Sequence, residues 1–164
     1  MAAIDAYARL PREERLARIA LTPVELEKTV SGQSDAALSR RPDGKNWAAT
    51  EVICHLRDNE ESFQLRLRQI MLMDEPRFVT TNPDRWAEER QYLRNDAADA
   101  LAAFTRRRAE TLAFLRGLEP DDWLRAGIHA DSRGRRTVDD FLTVMAWHDD
   151  NHLDQLRRAL DGRA

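Results

Sequence analysis

The sequence predicts an all-α protein: a four-helix bundle formed by one domain over residues 1–164. Three observations lead to this fold class. Apolar residues recur at three- and four-residue steps in four stretches, capping or helix-ending residues bound those stretches, and no strand-type alternation stands out. Helices of the predicted lengths span about 35 Å at 1.5 Å per residue, which favours a bundle over a cluster of short helices.

The first two helices are predicted over residues 11–30 and 48–73. The segment Thr22-Pro23-Val24-Glu25 resembles a capping box with proline at the first helical position, so either one kinked helix or two short helices fits the first stretch. The second helix carries one apolar stripe that faces the core. The stripe consists of Val52, Leu56, Phe63, Leu67 and Ile70.

The connection over residues 74–93 is too long for a tight antiparallel hairpin. It is long enough to cross the bundle, so the second and third helices are expected to run parallel. Within this connection, Asn82-Pro83 is a suitable start for a short helix. A second irregular stretch, residues 120–136, precedes the last helix.

The third and fourth helices are predicted over residues 96–118 and 138–160. Asn95 or Asp96 can cap the third helix. Thr137 and Asp140 form an acidic variant of the capping box at the start of the fourth.

Composition excludes several classes of function. A formal net charge of −3 argues against a nucleic-acid partner, and the run Arg106-Arg107-Arg108 is interpreted as a solvated helix face because acidic residues flank it. No segment reaches the roughly 20 apolar residues of a membrane helix, and residues 1–10 do not resemble a signal peptide. The single cysteine, Cys54, permits no intramolecular disulfide. These features predict a cytoplasmic protein without nucleic-acid or membrane partners.

Three of the four histidines interrupt the apolar stripes. His148 and His152 are four residues apart and therefore share the inward face of the fourth helix, while His55 lies inward near the start of the second. Neutral imidazole binds zinc, nickel and iron, and three imidazoles leave coordination positions open for water or substrate. The pattern predicts one divalent metal ion held by His55, His148 and His152.

The sequence pattern indicates the roles of five further residues less clearly. Asp58, Asp149 and Asp150 either orient a ligand imidazole or are plain surface charge. The fourth histidine, His129, is interpreted as a surface residue or a local structural one, and Cys54 as a small core residue.

Two motifs and their spacing resemble the DinB-like family of metal-binding four-helix bundles, which is unrelated to the DNA polymerase of the same name. Residues 47–56, WAATEVICHL, are similar to the family's W-x-x-x-E-V-x-x-H-L, and residues 148–156, HDDNHLDQL, to H-D-x-x-H-x-x-Q-[IL]. The stretch Gly127-Ile128-His129, followed by Gly134 and Thr137, lies between them. The resemblance covers nearly the whole chain in order.

The resemblance implies more than the pattern does. It makes His55, His148 and His152 the metal ligands, supports parallel second and third helices, and implies a homodimer. Some members of the family transfer low-molecular-weight thiols onto electrophiles, so the expected partner is a small molecule of either kind. The expected function is that of a metal-dependent S-transferase or hydrolase; the alternative is a non-enzymatic metal-holding or stress-responsive bundle.

Overall fold

Four long helices form a bundle in the computed structural model, which describes residues 3–131 and 134–164. The helices are α1 (Ile4–Ala8), α2 (Arg12–Val30), α3 (Asp35–Leu38), α4 (Ala49–Leu72), α5 (Pro83–Glu89), α6 (Ala97–Arg116) and α7 (Val138–Leu160). The strands are β1 (Arg77–Phe78), β2 (Ala126–His129) and β3 (Arg135–Thr137). Helices α2, α4, α6 and α7 are the predicted four, and they confirm the all-α bundle.

Contacts between α4 and α6 advance along both helices in the same direction. Arg107 Nη1 donates to the carbonyl of Arg57 over 3.0 Å, and one turn further Thr111 donates to Glu60 over 2.5 Å. The second and third bundle helices are therefore parallel, as the long connection predicted. That connection contains α5, which begins as predicted after Asn82, whose side chain caps it.

Helix α2 continues through Pro23, so the alternative of two short helices was wrong and the stretch forms a single helix. Proline has no backbone N–H and leaves the carbonyl four residues earlier without its helical donor. That carbonyl belongs to Ile19, and Arg108 Nη1 from α6 donates to it over 2.8 Å. A neighbouring helix thus replaces the hydrogen bond that Pro23 removes.

The sequence did not predict the short helices α1 and α3, nor a small three-stranded sheet. Strand β2 pairs in parallel with β1 and antiparallel with β3. The strands have two, four and three residues, too few for alternation to be visible. Gly127 is required here, because a Cβ atom would lie 2.3 Å from the ring of Phe78.

The buried core consists of two clusters along the bundle. On α7, one cluster ends at Ala146 and the other begins at Leu153, so His148 and His152 lie in the interval between them. Cys54 is fully buried in the second cluster, as predicted. In the described part of the chain, no helix combines the length and the apolar composition needed to cross a bilayer.

Candidate metal centre

The three predicted histidines converge at one point between α4 and α7. His148 and His152 stack on α7 with ring centroids 4.3 Å apart, and the ring of His55 lies 4.5 Å from that of His152. The Nε2 atoms of His55 and His148 are 3.1 Å apart. One ring nitrogen from each histidine lies within 4.8 Å of the other two. The structure therefore brings the predicted set together.

The donor set fits a divalent transition metal. Nitrogens of a tetrahedral zinc site lie about 3.3 Å apart when each metal–nitrogen bond is about 2.05 Å, close to the observed separation of His55 and His148. Burial lowers the pKa of His55 to about 3, and burial lowers the pKa of His148 and of His152 as well. Imidazoles bind metals in their neutral form, so the site presents ligands without first losing protons.

Two amide side chains that were not predicted as site residues contact the triad. Gln155 Oε1 lies 2.7 Å from His152 Nδ1, so His152 donates from Nδ1 and directs Nε2 toward the other histidines. Asn59 Nδ2 lies 2.7 Å from His55 Nε2 and 3.5 Å from His148 Nε2. Their signal was helical spacing, because Asn59 follows His55 by four residues and Gln155 follows His152 by three.

The three aspartates near the triad bind other partners. Among residues 3–131 and 134–164, none of them accepts a hydrogen bond from a triad imidazole. Asp58 and Asp149 are buried, so their interpretation as surface charge was wrong. The partners are Arg57, Arg90 and Tyr92 for Asp58, Thr22 and Arg108 for Asp149, and Tyr7 and Arg18 for Asp150.

The interpretation of Arg106-Arg107-Arg108 as a solvated helix face was wrong for Arg108. Arg106 is exposed, but Arg108 is only 1% exposed. Its Nη2 lies 2.7 Å from Glu60 Oε2 and 3.1 Å from Asp149 Oδ1. The carboxylate partners stand on α4 and α7, next to the triad, so this buried network ties the two metal-site helices to α6.

The triad opens into a cavity of about 640 Å³. Aromatic side chains form much of its wall, including Trp47, whose ring lies 5.0 Å from that of His55. His129 also lines the cavity. It is 5% exposed and stands on β2 with its ring 5.4 Å from that of Phe78. Of its two interpretations, the surface residue was wrong, and the local structural residue agrees with this position.

Comparisons with known proteins agree with this fold. YfiT of Bacillus subtilis (strain 168), a candidate metal-dependent hydrolase, is 22% identical over 131 residues, covering 80% of this chain and 74% of YfiT. The solved structure of YfiT, a four-helix bundle of unusual topology, superposes with a TM-score of 0.85 at 19% identity and covers 93% of this chain and 89% of YfiT. A mycothiol-dependent maleylpyruvate isomerase superposes with a TM-score of 0.72 at 16% identity, covering 95% of this chain and 63% of that enzyme.

At these identities the superpositions establish the fold. The family rests on the sequence itself, because the DinB superfamily profile matches residues 18–156, most of the chain and both histidine motifs. The chain belongs to the DinB superfamily.

Proposed function

We propose that His55, His148 and His152 hold one divalent metal ion and that the protein is a metal-dependent enzyme acting on a small molecule. The observation that carries this proposal is the position of the triad on the wall of a wide cavity. A metal that only stabilises a fold is enclosed by four protein ligands, whereas a catalytic metal keeps a position open. In the described residues, the metal-ligand set contains these three histidines and no carboxylate or thiolate.

A metal in this site would act as a Lewis acid, lowering the pKa of a coordinated water or thiol and polarising a substrate. The chain's own residues supply orientation. Gln155 fixes the ring of His152, and the Asn59 amide lies beside the imidazoles, where it can donate a hydrogen bond to a reacting group. The rings of Trp47 and Phe63 lie against those of His55 and His148 and give the reacting atoms apolar neighbours.

Two nucleophiles suit this arrangement, namely water and a low-molecular-weight thiol. YfiT is a candidate metal-dependent hydrolase, and the maleylpyruvate isomerase depends on the thiol mycothiol. We propose zinc, nickel or iron as the metal, because all three accept histidine ligands. The alternative function is that of a metal-holding bundle without turnover, which would not require a cavity beside the metal ligands.

Turnover measurements test the proposal. Metal-loaded protein is assayed with a panel of activated esters and amides, and separately with a small thiol and an electrophile. We expect metal-dependent turnover with one nucleophile, and its loss in His148→Ala. Tight metal binding without turnover in either assay would overturn the enzymatic proposal and favour the metal-holding alternative.

The homodimer implied by the family resemblance remains a proposal. Exposed apolar side chains on α4 and just after β1 support it, since Leu65 and Val79 line the same surface groove and are 59% and 80% exposed. A light-scattering mass twice the 18.9 kDa of the chain is the expected result.

A further inference from the structure

We propose that the triad cavity selects a small molecule with an apolar body and one anionic group, and that Arg136 binds the anionic group. This inference rests on the proposed function only in taking the cavity as the substrate site. It concerns residues that no histidine motif contains.

Positive charge dominates the cavity wall. Among the described residues that line it, three carry a positive charge, namely Lys45, Arg66 and Arg136, and one, Asp84, carries a carboxylate. Lys45 is exposed at the rim, whereas Arg136 is half-buried. A concave wall that carries one sign of charge concentrates ligands of the opposite sign.

In the described part of the chain, about half of the arginines pair with a carboxylate, and Arg136 is not among them. Its neighbour Arg135 is exposed and pairs with Glu75 over 2.7 Å. Successive side chains of a strand point to opposite faces, so β3 directs Arg135 outward and Arg136 into the cavity. Within the described ranges, no carboxylate lies at ion-pair distance from the guanidinium of Arg136. A half-buried cation without a protein partner is suited to an anionic ligand.

An apolar strip connects Arg136 to the triad. The ring of Phe63 meets that of Phe141 edge to face at 6.2 Å and that of His148 at 6.1 Å. Val144 and Trp147 continue the same wall along α7. The strip has room for an apolar group between the anion site and the reacting end of a substrate.

The length of the strip also constrains the ligand. Val138, the first residue of α7, lies about 15 Å from His148 along the helix axis at 1.5 Å per residue. Arg136 precedes this helix on β3, and its side chain covers part of that distance. The ligand is therefore elongated, with its anionic group at the opposite end from the group that reacts at the triad.

Binding of matched probes tests this inference without turnover. The probes are 4-phenylbutyrate and its neutral amide, and the readouts are calorimetry and the fluorescence of Trp47 and Trp147, which line the cavity. Because a carboxylate can also coordinate a metal, the titrations use both metal-loaded and chelator-treated protein. We expect the acid to bind about tenfold more tightly than the amide in both preparations, as expected for one charge-assisted hydrogen bond.

Two variants assign the effect to a residue. Arg136→Gln should abolish the preference for the acid, and the matched control Arg135→Gln should retain it. A third probe, 4-phenylbutyl phosphate, identifies the anion: tighter Arg136-dependent binding than that of the acid indicates a phosphate monoester, and weaker binding indicates a carboxylate.

Equal binding of acid and amide would overturn the inference. So would a preference confined to the metal-loaded protein and unchanged by Arg136→Gln, since the anion would then bind the metal. An Arg136-dependent preference in a protein without turnover would support the anion site while the proposed enzymatic function fails.

Discussion

Replacing Arg108 by methionine should destabilise the bundle strongly. The substitution leaves the carboxylates of Glu60 and Asp149 buried without their cation and removes the donor to the carbonyl of Ile19. Breaking one side of a buried ion pair costs about 3–5 kcal/mol. A chain of 164 residues has an unfolding entropy of roughly 0.34 kcal/mol/K, so a loss of about 4 kcal/mol lowers Tm by about 12 °C.

Thermal and urea unfolding followed by circular dichroism measure this effect. The matched control is Arg106→Met, two residues away and exposed, which should change stability by no more than about 0.5 kcal/mol. A triple variant that combines Arg108→Met with Glu60→Gln and Asp149→Asn removes the uncompensated charges and should recover part of the loss. Equal losses in the Arg106 and Arg108 variants would refute the reasoning, as would a triple variant less stable than Arg108→Met.

Three further outcomes follow from the structure. Gln155→Leu removes the acceptor that orients His152, so metal affinity should fall about 10- to 100-fold with the helical spectrum unchanged; titration with a metal indicator would refute this if the affinity held. Burial lowers the pKa of His55 to about 3, so His55 stays neutral in the folded metal-free chain while the unfolded chain protonates near 6.5. The contribution of His55 to the free energy of unfolding is therefore complete above about pH 6.5. It is lost at about 1.4 kcal/mol per pH unit between about pH 6.5 and pH 3, and a urea midpoint that is the same at pH 7.5 and 5.5 would contradict this expectation. Gly127→Ala places a methyl group against the Phe78 ring and should cost about 1–3 kcal/mol in a urea titration, and an unchanged midpoint would show that the ring moves aside freely.

The parts of the fold that the sequence predicted depend on local signals. The fourth helix was predicted over residues 138–160 and occupies Val138–Leu160, because the Thr137–Asp140 box defines its first turn. The convergence of the histidines could also be predicted from the sequence, because inward positions on two helices determine which side chains meet between them.

The missed features depend on contacts between distant segments. The burial of Arg108 requires carboxylates from two other helices. These carboxylates are distant in sequence, so the charge pattern around residues 106–108 does not indicate them. His129 is buried because β2 packs against Phe78 and Phe141, and strands this short leave no periodicity in the sequence. The cavity was likewise missed, because Arg136 joins its wall only when β3 packs beside the bundle.

The central claim is that three histidines form one metal site, and metal stoichiometry tests it most directly. Elemental analysis of reconstituted protein should give about one divalent ion per chain for the parent and for His129→Phe, a control that keeps an aromatic ring in that wall. His55→Ala, His148→Ala and His152→Ala should each lose most of the metal while retaining a helical spectrum, because the core lies on both sides of the site. Metal content equal to that of the parent in His55→Ala, or metal lost only in His129→Phe, would contradict the account.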